Sequence, residues 1–207
     1  KLLDDPVAWA EMFLKNPENP SLPLRLRWYQ KEILSKKTEL FAVRMGRGTG
    51  KTVTLAVYAL HKAFLTSHLR VLVVTPYESQ IKIVFDDTIR PMLQDSELLR
   101  GSVAKDRSQP YEIVLSNGSR ILGMTAGTKS GQHGAPIRGS SANVVILDEA
   151  DYLSEKSLVA VRALRQRQNN VELWVSSTPT GRREWFYQIC TDKRLGYDQF
   201  HYPSSVS

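Results

Sequence analysis

The sequence predicts an α/β fold with a mainly parallel sheet and helices on both faces. Two observations carry this. Short apolar runs, Leu40–Val43, Val71–Thr75, Val144–Leu147 and Val171–Ser176, alternate with helical stretches, the pattern of buried parallel strands joined by crossover helices. A glycine-rich turn joins the first run to a helix, and a pair of carboxylates closes the third.

Residues 1–25 form an expected N-terminal extension. It holds one amphipathic stretch, Val7–Leu14, and a Pro/Asn-rich link ending at Pro23. Leu26 to Lys36 predicts a helix, Glu39–Val43 a strand, and Val53 to about Leu65 a nearly all-apolar helix lying against the sheet. After the second strand, Tyr77 to about Ile89 places Ile81, Val84, Phe85, Thr88 and Ile89 on one helical face, and Pro91 ends or bends that helix. Asn117-Gly118 between Tyr111–Ser116 and Ser119–Met124 predicts a hairpin. A polar Gly/Ser loop spans Thr125 to Ala142, helices are expected over Ser154–Gln166 and Arg183–Thr191, and the tail from Tyr202 stops without a closing element. A domain over residues 26–207 is expected.

At 207 residues the chain can bury one good core. No apolar run reaches the length of a membrane-spanning helix and no signal peptide is visible. Cys190 is the single cysteine, which precludes an internal disulfide and fits a cytosolic setting; four scattered histidines argue against a zinc site. The net charge of +7 suits a polyanionic partner such as nucleic acid, a property shared by many unrelated proteins. The chain opens on Lys1 rather than Met, which suggests a piece of a longer protein.

The chemistry is concentrated in Arg44-Met45-Gly46-Arg47-Gly48-Thr49-Gly50-Lys51-Thr52. A strand, a glycine-rich turn and Gly-Lys-Thr opening a helix build a phosphate cradle, in which backbone N–H groups and the helix N-terminus meet an anion. The usual spacing asks for glycine where Met45 stands; the nearest is Gly46. Gly46, Gly48, Thr49 and Gly50 would wrap the phosphates, Lys51 would reach the β- and γ-phosphates, and Thr52 would ligate Mg²⁺. Asp148 and Glu149 end the third apolar run, where side chains face the ligand crevice of an α/β sheet. Asp148 would hold Mg²⁺ and Glu149 would activate water; a strand followed by an acidic helix start is the ordinary alternative. Together the motifs predict a nucleoside triphosphate site. Gln30 carries an amide able to pair with adenine N6 and N7, favouring ATP over GTP; Trp28 and Tyr29 either stack on the base or, the favoured expectation, pack the core.

Trp174-Val175-Ser176-Ser177-Thr178-Pro179-Thr180-Gly181, followed by Trp185-Phe186-Tyr187, narrows the reading further. With Arg44–Thr52, Arg138-Gly139 and Asp148-Glu149-Ala150, it resembles the ATPase domain of the terminase large subunit of tailed bacteriophages, over roughly residues 24 to 205. The resemblance implies a RecA-like, additional-strand ATPase that drives double-stranded DNA into a procapsid. It also implies ATP and Mg²⁺, a ring of subunits, portal and small-terminase partners, a host-cytoplasmic setting, and a nuclease domain beyond Ser207. It assigns Arg47 to the γ-phosphate, Arg138 to the neighbouring subunit's site, and Ser177 and Thr178 to sensing γ-phosphate loss. Plainer readings of the same residues are a salt bridge for Arg47, a solvated or DNA-bound loop arginine for Arg138, and a turn cap for Ser177 and Thr178. Weak DNA-contact candidates are Arg162, Arg165, Arg167, Arg182, Arg183 and the loop around Lys129. A superfamily 2 helicase fragment and a non-hydrolysing nucleotide switch are the rival functions.

Overall fold

The computed structural model describes residues 2–126, 141–168 and 170–206. The expected Arg138 and Lys129 loop contacts lie outside the described residues. Eight strands form one sheet in the order β3-β4-β5-β2-β6-β7-β1-β8. They are β1 (Leu40–Met45), β2 (Arg70–Thr75), β3 (Val103–Ser108), β4 (Tyr111–Leu115), β5 (Arg120–Thr125), β6 (Val144–Leu147), β7 (Glu172–Ser177) and β8 (Asp198–Tyr202). Six strands, from β5 across to β8, run parallel; β4 and β3 extend the sheet antiparallel. This is the expected mainly parallel α/β architecture, with β7 inserted between the two strands that carry the phosphate loop and the carboxylates.

Both faces of the sheet are covered, which is why its strands are written as continuous apolar runs. Successive residues alternate between faces. Val71, Val73, Val144, Ile146 and Trp174 join one apolar layer, and Leu72, Val74, Val145, Leu147 and Val175 join the other. The first layer is closed by α1 (Pro6–Phe13), α2 (Trp28–Leu34), α3 (Lys51–Leu65) and α4 (Glu78–Val84). Trp9 of α1 is buried in this same layer, so the N-terminal segment shares its core. The second layer is closed by α7 (Glu155–Arg167) and α8 (Trp185–Thr191).

α4 runs through one π-helical turn (Phe85–Ile89) into α5 (Arg90–Gln94). Pro91 cannot donate to a carbonyl four residues back, and the wide turn absorbs that loss. The helix is neither ended nor sharply broken, and Ile81, Val84, Phe85, Thr88 and Ile89 are all buried as expected. The Asn117-Gly118 hairpin forms between β4 and β5, and the Asn117 amide donates to the Ala63 carbonyl at 2.9 Å, capping the end of α3.

Absent from the sequence reading are β3, the short α6 (Glu97–Arg100), β8 and the short 3-10 turns. β3 is a polar, exposed edge strand, the composition that blunts a sheet edge. β8 lies just ahead of the tail, in residues given no element: Asp198–Tyr202 pairs in parallel with β1, and only Phe200 and Tyr202 turn inward to the core. Among the described residues no helix is long and apolar enough to cross a membrane.

Candidate functional site

The phosphate loop springs from the end of β1 and hands over to α3 at Gly50. Gly48 and Gly50 hold φ of 77° and 76°, a region L side chains pay to enter. Gly50 is further constrained because a Cβ there would stand 2.7 Å from the Gln30 amide nitrogen. Thr49 is fully buried and its hydroxyl donates to the Gly46 carbonyl at 2.6 Å, closing the loop on itself. The loop is braced from outside by α2 and its cap: Tyr29 donates to the Thr49 carbonyl at 3.0 Å and Arg27 to the Gly48 carbonyl at 3.3 Å.

Gln30 departs from expectation. It is 4% exposed. Its amide nitrogen donates to the Gly50 carbonyl at 3.2 Å and to Thr54 Oγ1 at 3.0 Å, and its oxygen accepts from the Arg27 N–H at 2.9 Å. The turn into α3 leaves polar groups needing partners, and this amide supplies them, so the adenine pairing is not available unless these bonds break. Trp28 also differs: Tyr29 is core, as favoured, but Trp28 is 62% exposed, edge-on to Tyr29 and Tyr202.

Lys51 and the carboxylates meet across the sheet. Its ammonium lies 2.6 Å from Asp148 Oδ1 and 2.8 Å from Glu149 Oε1. Burial pulls the Lys51 pKa down, but the two carboxylates outweigh it and hold it above its ordinary value. Asp148 sits directly after β6, and Glu149 turns out of the strand at φ 51°. A non-glycine residue stores backbone strain in that region, a common feature of functional sites.

β7 supplies the second half of the arrangement. Its register sets Leu147 opposite Val175, so the two following residues on each strand also face each other. Ser176 donates to Asp148 Oδ1 at 2.8 Å and Ser177 to Glu149 Oε2 at 3.2 Å. Ser177 belongs to the segment expected to sense γ-phosphate loss; Ser176, fully buried, was given no role. Asp151 is a second unanticipated member. It is buried, and it accepts from the Thr180 N–H at 2.7 Å and from the Thr180 hydroxyl. The carboxylate loop and the turn after β7 are thereby tied together.

Thr52 follows Lys51 in the first turn of α3 and is half-buried. Arg47 is exposed. With Gly46, Thr178, Thr180, Tyr202 and Ser204 it lines a cavity of about 480 Å³ at the carboxyl ends of β1, β7 and β8. A larger cavity of about 670 Å³ opens at the opposite end of β1, around Tyr58, His61, Lys62 and Glu172. That cavity has no glycine loop, and its own pair, Lys62–Glu172 at 2.6 Å, lies by the last turn of α3 rather than at a helix N-terminus, so the chemistry assigns the phosphate site to the carboxyl ends. Among the helix arginines proposed for DNA, Arg165 pairs with Glu39 at 3.2 Å.

The fold is that of the RecA-like P-loop NTPases with an additional strand. Residues 43–196 match the family described as terminase large subunit, T4likevirus-type, N-terminal, and the chain belongs to that family. Solved structures agree on the fold. The large terminase ATPase domain of Thermus phage P74-26 superposes with a TM-score of 0.71 at 18% identity, over 88% of this chain and 83% of that one. The bacteriophage HK97 large terminase gives 0.78 at 19% identity over 97% of this chain, which spans 43% of that protein. The large terminase of a thermophilic bacteriophage in complex with ADP gives 0.56 at 16% identity, over 78% of this chain and 40% of that one. No match was found among curated proteins.

Proposed function

We propose that this domain binds ATP with Mg²⁺ and hydrolyses it, and that the hydrolysis drives double-stranded DNA into a viral procapsid. The observation that carries the reading is the convergence of Lys51, Asp148 and Glu149, with contacts of 2.6 and 2.8 Å, at the mouth of a glycine-rich loop. Family membership supports the packaging role, and a relative solved with ADP supports the nucleotide.

The donor set suits Mg²⁺. Thr52 and Asp148 offer hard oxygens, and among the described residues no cluster of three or more His, Cys, Asp or Glu forms a metal cage. Mg²⁺ is ordinarily held by one or two carboxylates, water and substrate phosphates. Bound there it would neutralise charge on the β- and γ-phosphates.

In the arrangement described, Glu149 is parked: one oxygen holds the Lys51 ammonium and the other the Ser177 hydroxyl. A triphosphate would draw Lys51 onto its oxygens and release Glu149 Oε1 to take the proton of the attacking water. Ser177, still on Oε2, would keep the carboxylate aimed. The backbone of Gly46, Gly48 and Gly50 would cradle the phosphates, with Thr49 and Gln30 holding the loop in shape. Arg47 would approach the γ-phosphate, and Ser177 and Thr178 would respond to its loss. Arg138, presented by a neighbouring subunit of a ring, would complete the charge clamp, worth about 10³–10⁵ in rate. Portal and small terminase subunit would be further partners, and the host cytoplasm the setting.

Steady-state ATP hydrolysis with and without duplex DNA, for the wild type and Lys51→Ala, tests this. Mg²⁺-dependent turnover that the substitution abolishes is expected. A wild type that binds no ATP, or a variant that turns over normally, overturns the reading.

A further inference from the structure

We propose that a second anion site, suited to a phosphate group, is built by Arg44, Arg182 and Arg183 behind the carboxylate loop. The three side chains line one cavity of about 250 Å³ with Asp151, Phe186 and Tyr187, and it shares only Pro179 with the cavity at the phosphate loop. Arg44 lies near the end of β1. Its Nε is shut off from solvent and has no hydrogen-bond partner. An unmet donor on a charged group is costly to bury.

The positive charge here is only partly balanced by the chain, since Asp151 is the single carboxylate lining the cavity beside the three arginines. Among the described residues none of the three arginines forms an ion pair with a carboxylate. Asp151 on the cavity wall accepts from Thr180 through Oδ2 and pairs with none of the three. The rim arginines are held by ring faces instead: Arg182 stands 5.8 Å over Tyr152 and Arg183 5.9 Å over Tyr187. Arg182 also donates to the Asp151 carbonyl at 3.4 Å. Stacking leaves the edge donors of a guanidinium free, and their planar fork matches the oxygens of a phosphate.

The phosphate would come from a polynucleotide backbone or from free orthophosphate; the recognising chemistry is the same. Arg182 sits on the turn that carries Thr180, and Thr180 is bonded to Asp151, two residues beyond Glu149. An anion held there would bear on the loop that presents the carboxylates. The site stands on its own geometry and does not depend on ATP hydrolysis.

The test compares the wild type with a variant carrying Arg182→Gln and Arg183→Gln, both exposed positions. Inorganic phosphate binding is measured by calorimetry, and labelled duplex DNA binding by anisotropy across a salt series. Both proteins keep the phosphate loop, so only their difference counts. Phosphate affinity is expected to fall on the order of ten-fold. If a polynucleotide is the source, duplex affinity also falls and the slope against log salt decreases by about two. If free phosphate is the source, only the calorimetric curve changes. Unchanged binding in both assays, with unfolding curves that show the variant intact, overturns the proposal.

Discussion

Ser176 donates its hydroxyl to Asp148 Oδ1 at 2.8 Å, directly across from the point where β6 gives way to the carboxylate loop. The contact exists because β7 lies between the strands that carry the lysine and the acids. Ser176→Ala leaves Asp148 its bond to Lys51 but removes one buried donor, so about 1 kcal/mol of stability is expected to go. Denaturant unfolding measures it. Hydrolysis should slow with little change in KM, since Ser176 would orient a carboxylate rather than touch substrate.

Lys51→Ala leaves two carboxylates facing each other with no cation between them. Breaking one side of a buried ion-paired set costs about 3–5 kcal/mol, and the partial exposure of Glu149 places the expectation at the lower end. Combining it with Asp148→Asn and Glu149→Gln removes the repulsion and should restore part of the loss. A triple variant no more stable than Lys51→Ala would show that the charges are not what the lysine holds together.

Gly50→Ala and Gly196→Ala form a matched pair. Both positions have φ 76°, but a Cβ at Gly196 meets nothing within 4 Å, whereas at Gly50 it meets the Gln30 amide at 2.7 Å. Each pays about 1–2 kcal/mol for the backbone; only Gly50→Ala should also displace Gln30, loosen the loop and weaken ATP binding. Equal ATP affinity in the two variants would contradict the bracing role of Gln30.

Burial pushes the Cys190 thiol up from its ordinary 9.0 to about 12, with nearby Arg44 opposing that and Asp151 adding to it. The folded value lies above the unfolded one, so its contribution to stability is complete below about pH 9 and is lost as pH rises towards 12. At pH 8 a thiol reagent should label the native protein far more slowly than the unfolded one. Rapid native labelling would show the thiol to be accessible.

Much of this was legible in the sequence for one physical reason: a strand covered on both faces must be apolar throughout. Val71–Thr75 and Val144–Leu147 therefore announce themselves, as does a glycine loop ending in Lys51-Thr52. β8 stayed hidden because an edge strand buries only one side, and Asp198, Gln199 and His201 dilute its signal. The roles of Ser176 and Asp151 depend on strand register and loop closure, which no local pattern encodes. The bonds Gln30 makes to the loop were not legible, because an amide suits adenine and a backbone carbonyl equally well, and they follow from the docking of α2 against the loop.

The central claim is that Glu149, released from Lys51 by a triphosphate, activates the attacking water. ATP titration and single-turnover hydrolysis on Glu149→Gln test it most directly. Binding should stay within a few-fold of the wild type while hydrolysis falls by about 10²–10⁴. Hydrolysis at a near-normal rate would contradict the account.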